Sequence, residues 1–138
     1  MANSTLPNEG REHIAETYWN GSQKLLKLYT NDKIPARGDT YNDYTIASGS
    51  GYEDKTLVVG EDTFAITTTD DETIITYAQQ SWTFTGDAGT IYGYIITTSG
   101  TSPVVLQAQR FDIPQPTSNG KIIKVTPRIV DKSEYPLS

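Results

Sequence analysis

The sequence contains no cysteine, a single histidine and a single methionine. Without cysteine no disulfide can staple the fold, so its 138 residues must hold themselves together with an apolar core. A chain of this length forms one domain that buries roughly 65–70% of its unfolded surface, so neither bridge nor structural metal is required. The absence of cysteine fits synthesis in a reducing cytosol. His13, the one imidazole, cannot complete a zinc site alone, and no Gly-x-Ser-x-Gly elbow accompanies it. It reads as an exposed residue of a short helix. No apolar run approaches the roughly 20 residues of a membrane span. The opening stretch MANSTLPNEGREH is polar and lacks the apolar core of a secretory leader.

Positive charge is also scarce. Eleven Lys and Arg face seventeen Asp and Glu, a net charge of -6, which disfavours contact with phosphate backbones. The cations do not cluster. Lys24 and Lys27 in one strand, and Lys121, Lys124 and Arg128 in another, read as solvated faces of half-buried strands. The run Asp70-Asp71-Glu72 reads as a turn, because it lacks the alternating oxygen ligands of a calcium loop. Asp39, Asp43, Glu53, Asp54, Asp62, Asp87 and Asp112 also lie near turns, and no pair stands out as the desolvated acid and its partner that a glycosidase needs. Gly49-Ser50-Gly51 lacks the lysine and the strand–helix frame of a phosphate loop. No catalytic residue, metal site or cofactor is expected.

What the sequence has in quantity is β-branched and aromatic residues between turn signals. Thr90–Phe111 reads as two strands around a Ser-Gly-Thr-Ser turn, the first apolar on both faces, with Ile91, Gly93 and Ile95 opposite Tyr92, Tyr94 and Ile96. Gly93 in mid-strand marks a kink, or a backbone covered by a large side chain. Ser81–Thr85 alternates cleanly and buries Trp82 and Phe84. Further strands are predicted at Lys24–Tyr29, Tyr44–Ile46, Lys55–Val59, Asp62–Thr68, Thr73–Tyr77 and Lys121–Val125, the last continuing past Pro127 to Val130 if it lies at an edge. Ile113-Pro114-Gln115-Pro116 is expected to break the sheet, since proline cannot donate to a ladder. A short amphipathic helix is expected over Asn8–Trp19, where Ile14 pairs with Tyr18 and Ala15 with Trp19 at i,i+4 spacing. No inter-strand segment offers the helical length of a parallel crossover. The predicted fold is therefore all-β: an antiparallel β-sandwich or small β-barrel with a short N-terminal helix and extended terminal arms. It divides into an arm with the helix (1–23), a β-domain (24–130) and a polar tail (131–138).

Residues 33–56 form the longest irregular segment, and such a loop in a compact domain is usually functional. Trp19 in the arm, with Tyr41, Tyr44 and Tyr52 in this loop, are candidate anchors for a protein partner, or a lid folded back over the sheet.

Three stretches carry a resemblance: LKLYTNDKIPARGDTYNDYTIASGSGYEDKTL, YAQQSWTFTGDAGTIYGYIITTSG and RFDIPQPTSNGKIIKVTPRIV. A strand ending Asn31-Asp32 leads to a loop ending Gly51-Tyr52. Phe84 precedes the Tyr92-Gly93-Tyr94 strand, and Arg110-Phe111 precedes a strand led by Gly120 and closed by Pro127. Over Lys24 to Val130 the chain resembles small virion structural proteins of tailed bacteriophages, of the capsid-decoration or cement type. It departs from them at Thr97-Thr98-Ser99-Gly100, where such sequences tend to carry an Asp-Gly turn. The resemblance implies a non-enzymatic protein, made in the host bacterial cytoplasm and placed in the virion, that binds the major capsid protein and stabilises its lattice, with self-association as a dimer or trimer plausible. It implies no nucleic-acid or membrane partner. The alternatives are a tail, head–tail connector or fibre-attachment component, or a carbohydrate-binding module for host attachment.

Overall fold

The computed structural model describes residues 23–57, 64–69 and 72–132, with Pro7, Glu9, Gly10, His13, Ile14, Thr17 and Tyr18. Its strands are β1 (Lys24–Tyr29), β2 (Lys55–Leu57), β3 (Phe64–Thr68), β4 (Glu72–Tyr77), β5 (Gln80–Thr83), β6 (Thr90–Thr98), β7 (Val105–Pro116), β8 (Ile122–Val125) and β9 (Arg128–Lys132), with one 3-10 turn at Tyr41–Asp43. The chain is all-β, and every strand pairing is antiparallel. Of the helix expected over Asn8–Trp19, Glu9, Gly10, His13, Ile14, Thr17 and Tyr18 are among the described residues and are helical; the others lie outside the described residues.

One sheet has four strands in the order β2-β1-β6-β7; the others are β3-β4-β9 and β5-β8. The last two are one bent ribbon. The Tyr77 amide donates to the Pro127 carbonyl at 3.0 Å, and three residues on Gln80 pairs with Val125. Ala78 and Gln79 thus oppose Thr126 alone, a bulge that bends the ribbon and gives Pro127 a place where the ladder is already interrupted.

The main core lies between the four-stranded sheet and this ribbon. Leu26, Leu28, Ile91, Tyr94 and Ile96 come from one side; Ile75, Tyr77, Trp82, Phe84, Ile123, Val125 and Ile129 from the other. Full burial of each such side chain contributes about 1.5–3 kcal/mol. Alternation in β5 and β8 reads through directly, with Trp82, Ile123 and Val125 buried between exposed neighbours.

Three expectations are corrected. First, strict alternation fails at Gly93. Ile91 shares the main core with Tyr94 and Ile96, whereas Tyr92 packs with Ile95 on the opposite face. The two-residue step from Ile91 to Gly93 faces a five-residue step from Gln115 to Arg110, and this bulge reverses the faces. Second, the Ile113–Pro116 segment does not end the sheet; β7 runs through it to Pro116, which pairs with Thr90. β7 is an edge strand, so a proline there costs no ladder bond. Third, Tyr44–Ile46 forms no strand of its own: Ile46 makes one isolated bridge, to Tyr29.

Candidate functional site

The four-stranded sheet is buried on both faces, which is why β6 reads as apolar throughout. The second face carries Lys27, Tyr29 and Ile95, with Ala108 beside them on β7, and it is covered by the loop that follows β1. The loop's ends are joined: the Thr30 amide donates to the Thr45 carbonyl at 2.7 Å and the Ala47 amide to the Leu28 carbonyl at 2.9 Å. Residues 30–45 therefore form a closed surface loop packed by its own side chains.

Each fastening follows from a short polar side chain. Asn31 accepts from the Thr45 amide at 2.9 Å and donates to the Asp43 carbonyl at 3.0 Å. Asp43 receives the Thr40 amide at 2.7 Å across the 3-10 turn, the Thr-x-x-acid pattern of a capping box. Asp39 is the central clip: its carboxylate accepts from the Ala36 amide at 2.8 Å, the Tyr44 hydroxyl at 2.7 Å and Lys33 Nζ at 2.8 Å. These bonds, led by Lys33, lower the Asp39 pKa to about 2.

The loop aromatics point inward. Tyr44 is 5% exposed and meets Tyr29 edge to face at 5.0 Å. Burial, then the bond to Asp39, keeps its hydroxyl protonated well above the ordinary tyrosine range. Tyr41 packs on the same cluster, its oxygen accepting from Lys27 Nζ at 3.1 Å while the ammonium lies 4.7 Å from the ring centroid. Tyr52 sits on the other side of the sheet edge, stacked 6.4 Å from Trp82 with an interplanar angle of 6°. It is joined to the lid through Lys27, which pairs with Asp54 at 3.6 Å, while Asp54 accepts the Tyr52 hydroxyl at 2.7 Å. Burial and Asp54 together hold that hydroxyl protonated. Of the four candidate anchors, the structure thus brings Tyr41 and Tyr44 together and ties Tyr52 to them. Trp19 lies outside the described residues.

Lys24 and Lys27, expected on solvated faces, are 1% and 6% exposed. Lys24 donates to the Tyr18 carbonyl at 3.2 Å under the Tyr18 ring, and its burial lowers its pKa. Alternation in a strand registers which face meets the other sheet, not what a distant loop lays over the remaining face. In β8 and β9 the expectation stands, with Lys124 and Arg128 exposed.

Sequence reasoning missed the residues at the rim of the lid. Arg110 on β7 bonds Asp32 at 2.7 Å and the Lys33 carbonyl at 3.2 Å, and its guanidinium lies 5.2 Å from the Tyr92 ring centroid. The Lys33 carbonyl also takes the Tyr29 hydroxyl at 3.0 Å. Among the described residues the two most exposed large aliphatic side chains are Ile34 at 74% and Ile113 at 70%. Ile34 follows Lys33, and Ile113 sits in the surplus residues of the β7 bulge. Their signal in the sequence was faint: an isoleucine beside a proline in each case.

Between the lid and β7 lies an open groove of about 390 Å³, lined by Pro35, Ala36, Arg37, Asp39, Tyr44 and residues 105–108. Among the described residues, no group of three or more His, Cys, Asp or Glu stands close enough to hold a metal, and no helix is long and apolar enough to cross a membrane. Asp39, Asp43, Asp54, Tyr44 and Tyr52 are thus engaged in holding the loop, while Ile34 and Ile113 face solvent. Comparison with protein families, with curated proteins and with solved structures returned no match.

Proposed function

We propose that this chain is a non-enzymatic structural protein of a tailed-phage virion, of the capsid-decoration type, that binds the assembled lattice of the major capsid protein and stabilises it. In this reading the four-stranded sheet and the bent ribbon form an antiparallel sandwich, drawn toward a barrel where Trp82 Nε1 donates to the Glu53 carbonyl at 2.7 Å and Tyr94 reaches the Arg128 backbone. The observation that carries the proposal is the exposure of Ile34 and Ile113, two aliphatic side chains open to solvent on segments that Arg110 fastens to one another. Exposed aliphatic side chains on a fastened backbone gain their stabilisation only when a partner covers them, and they lose little conformational entropy in doing so.

The resemblance supports the same reading, because its residues are the joints of this fold. Asn31 and Asp32 set the lid, Gly51 and Tyr52 fit the chain against β5, Gly93 lies beneath Tyr29, and Arg110 ties the lid to β7. Tyr41, Tyr44 and Tyr52 then serve the binding face from behind, by fixing its shape. A modest contact per copy suffices on a symmetric shell, where a self-associated dimer or trimer engages several sites at once.

Quantitative mass spectrometry of purified particles tests the proposal. A copy number comparable to that of the major capsid protein is expected. About 3–12 copies, as in a closed ring, would assign the chain to a connector or tail instead, and glycan binding without particle association would favour a carbohydrate module.

A further inference from the structure

The four-stranded sheet has two edges, and they are guarded unequally. β2 is three residues long and carries Lys55, a short charged edge that resists further pairing. β7 is twelve residues long. Its second half has Arg110, the bulge beyond it, Pro114 and Pro116, whereas residues 105–109 hold neither charge nor proline. Among the described residues, β6 is the only strand paired with this first half, so the backbone N–H and C=O groups on its outer side meet no strand.

Both faces beside this edge are fixed in place. On one side Pro35, Ala36, Leu106 and Ala108 line the open groove under the lid; on the other the Val130 amide of β9 meets Gln107 Oε1 at 3.4 Å. An added strand therefore meets a held backbone with apolar surface next to it, and little order has to be created on pairing. The backbone groups select a strand, and charge selects which one. The chain carries a net charge of -6, so two copies repel wherever their acids meet. No charged residue occurs between Asp87 and Arg110, which makes this edge a place where two copies meet with no charge from either strand. Val104, 57% exposed, adds an aliphatic side chain at its start. A two-fold axis beside an edge strand makes the new pair antiparallel and brings the same neutral residues from both sides.

We infer that two copies of this chain pair through residues 105–109 of β7, antiparallel across a two-fold axis, so that the sheet β2-β1-β6-β7 continues into β7-β6-β1-β2 of the second copy. Val104 and Leu106 of each copy are covered in the contact, and Ile34 and Ile113 take no part in it. The contact is small beside the roughly 800 Å² per partner of a standard interface, so the dimer is expected at about 0.1–1 mM. This concerns the free protein and stands apart from the proposed function, so either can fail without the other.

The test is sedimentation velocity of the full chain from about 10 µM to 1 mM, with hydrogen exchange of the 105–109 amides measured at both ends of that range. Wild type is expected to pass from monomer to dimer, and those amides to exchange more slowly as it does. Val104→Lys and Leu106→Lys each set two like charges into the contact and should weaken association about tenfold or more. Both make the net charge less negative, which by itself favours association, so a lost dimer locates the contact. Thr56→Lys, exposed on the opposite edge, should dimerise as wild type does. Leu106 also lines the groove, so if the melt of Leu106→Lys departs from wild type, Val104→Lys decides alone. A chain monomeric throughout, a dimer indifferent to these lysines, or one lost equally in Thr56→Lys would overturn the inference. Protection of the 105–109 amides that arises only when capsid heads are added would overturn it too, assigning the edge to a strand of the shell.

Discussion

Replacing Gly93 with alanine places a methyl group where three atoms already stand. An added Cβ falls inside the contact radius of the Gln109 carbonyl oxygen, and 2.7 Å from both Cε2 and the hydroxyl of Tyr29. The tyrosine lies directly across the ladder from Gly93, and its ring fills the space that a side chain would occupy. The carbonyl cannot withdraw, because β7 is held to β6 on both sides of this point and Arg110 is tied to the lid. Overpacking a fitted site costs about 1–3 kcal/mol, and a backbone obstacle puts this case near 3 kcal/mol. At roughly 4 °C per kcal/mol for a chain of this size, the midpoint of thermal unfolding should fall by about 12 °C. Circular dichroism melts of wild type, Gly93→Ala, Tyr29→Leu and the double variant separate the two obstacles. Alanine should cost less in the Tyr29→Leu background, with a coupling of about 1 kcal/mol, but should still destabilise because the carbonyl remains. A Gly93→Ala melt within 2 °C of wild type would refute the reasoning.

Further outcomes follow from the lid. Tyr52→Ala removes the ring stacked on Trp82 and should cost about 3 kcal/mol in urea unfolding; a cost under 1 kcal/mol would mean the ring is not part of the packed structure. Asp39 has its pKa lowered in the fold, so its clip contributes fully above about pH 4 and is lost as pH falls through about 2. Exchange at the Ala36 amide should accelerate across that window, and Asp39→Asn should abolish the dependence; an unchanged profile in that variant would contradict the assignment. Gly51 has φ +87° and a virtual Cβ 2.9 Å from the Thr83 carbonyl, so Gly51→Ala should destabilise by about 1–2 kcal/mol, read by the same melts. Ile34→Asp with Ile113→Asp should leave stability within about 0.5 kcal/mol, since both side chains face water.

Strand composition and period were legible because local chemistry determines them. β1 and β6 lie within their expected bounds, and Trp82 and Phe84 are buried as their alternation with threonine and serine implied. The face reversal at Gly93 was not legible, since a bulge depends on the register of the partner strand. The passage of β7 through two prolines depended on its edge position, which is a property of strand order. In the loop, the tyrosines were visible as candidates while their orientation was not. It is decided by contacts across the sheet, such as Lys27 with Asp54 and Tyr29 with Tyr44. The Thr40–Asp43 cap went unread although its Thr-x-x-acid spacing is local, and Asp39 differs from the other turn acids only through the neighbours that folding gives it.

The most direct measurement is co-sedimentation of the purified protein with tail-less heads, comparing wild type with the Ile34→Asp, Ile113→Asp double variant. Saturable binding by wild type at a stoichiometry near that of the major capsid protein, and its loss in a double variant that still melts normally, is the expected result. Wild type left in the supernatant, or a double variant that binds equally well, would contradict the proposed role of this face.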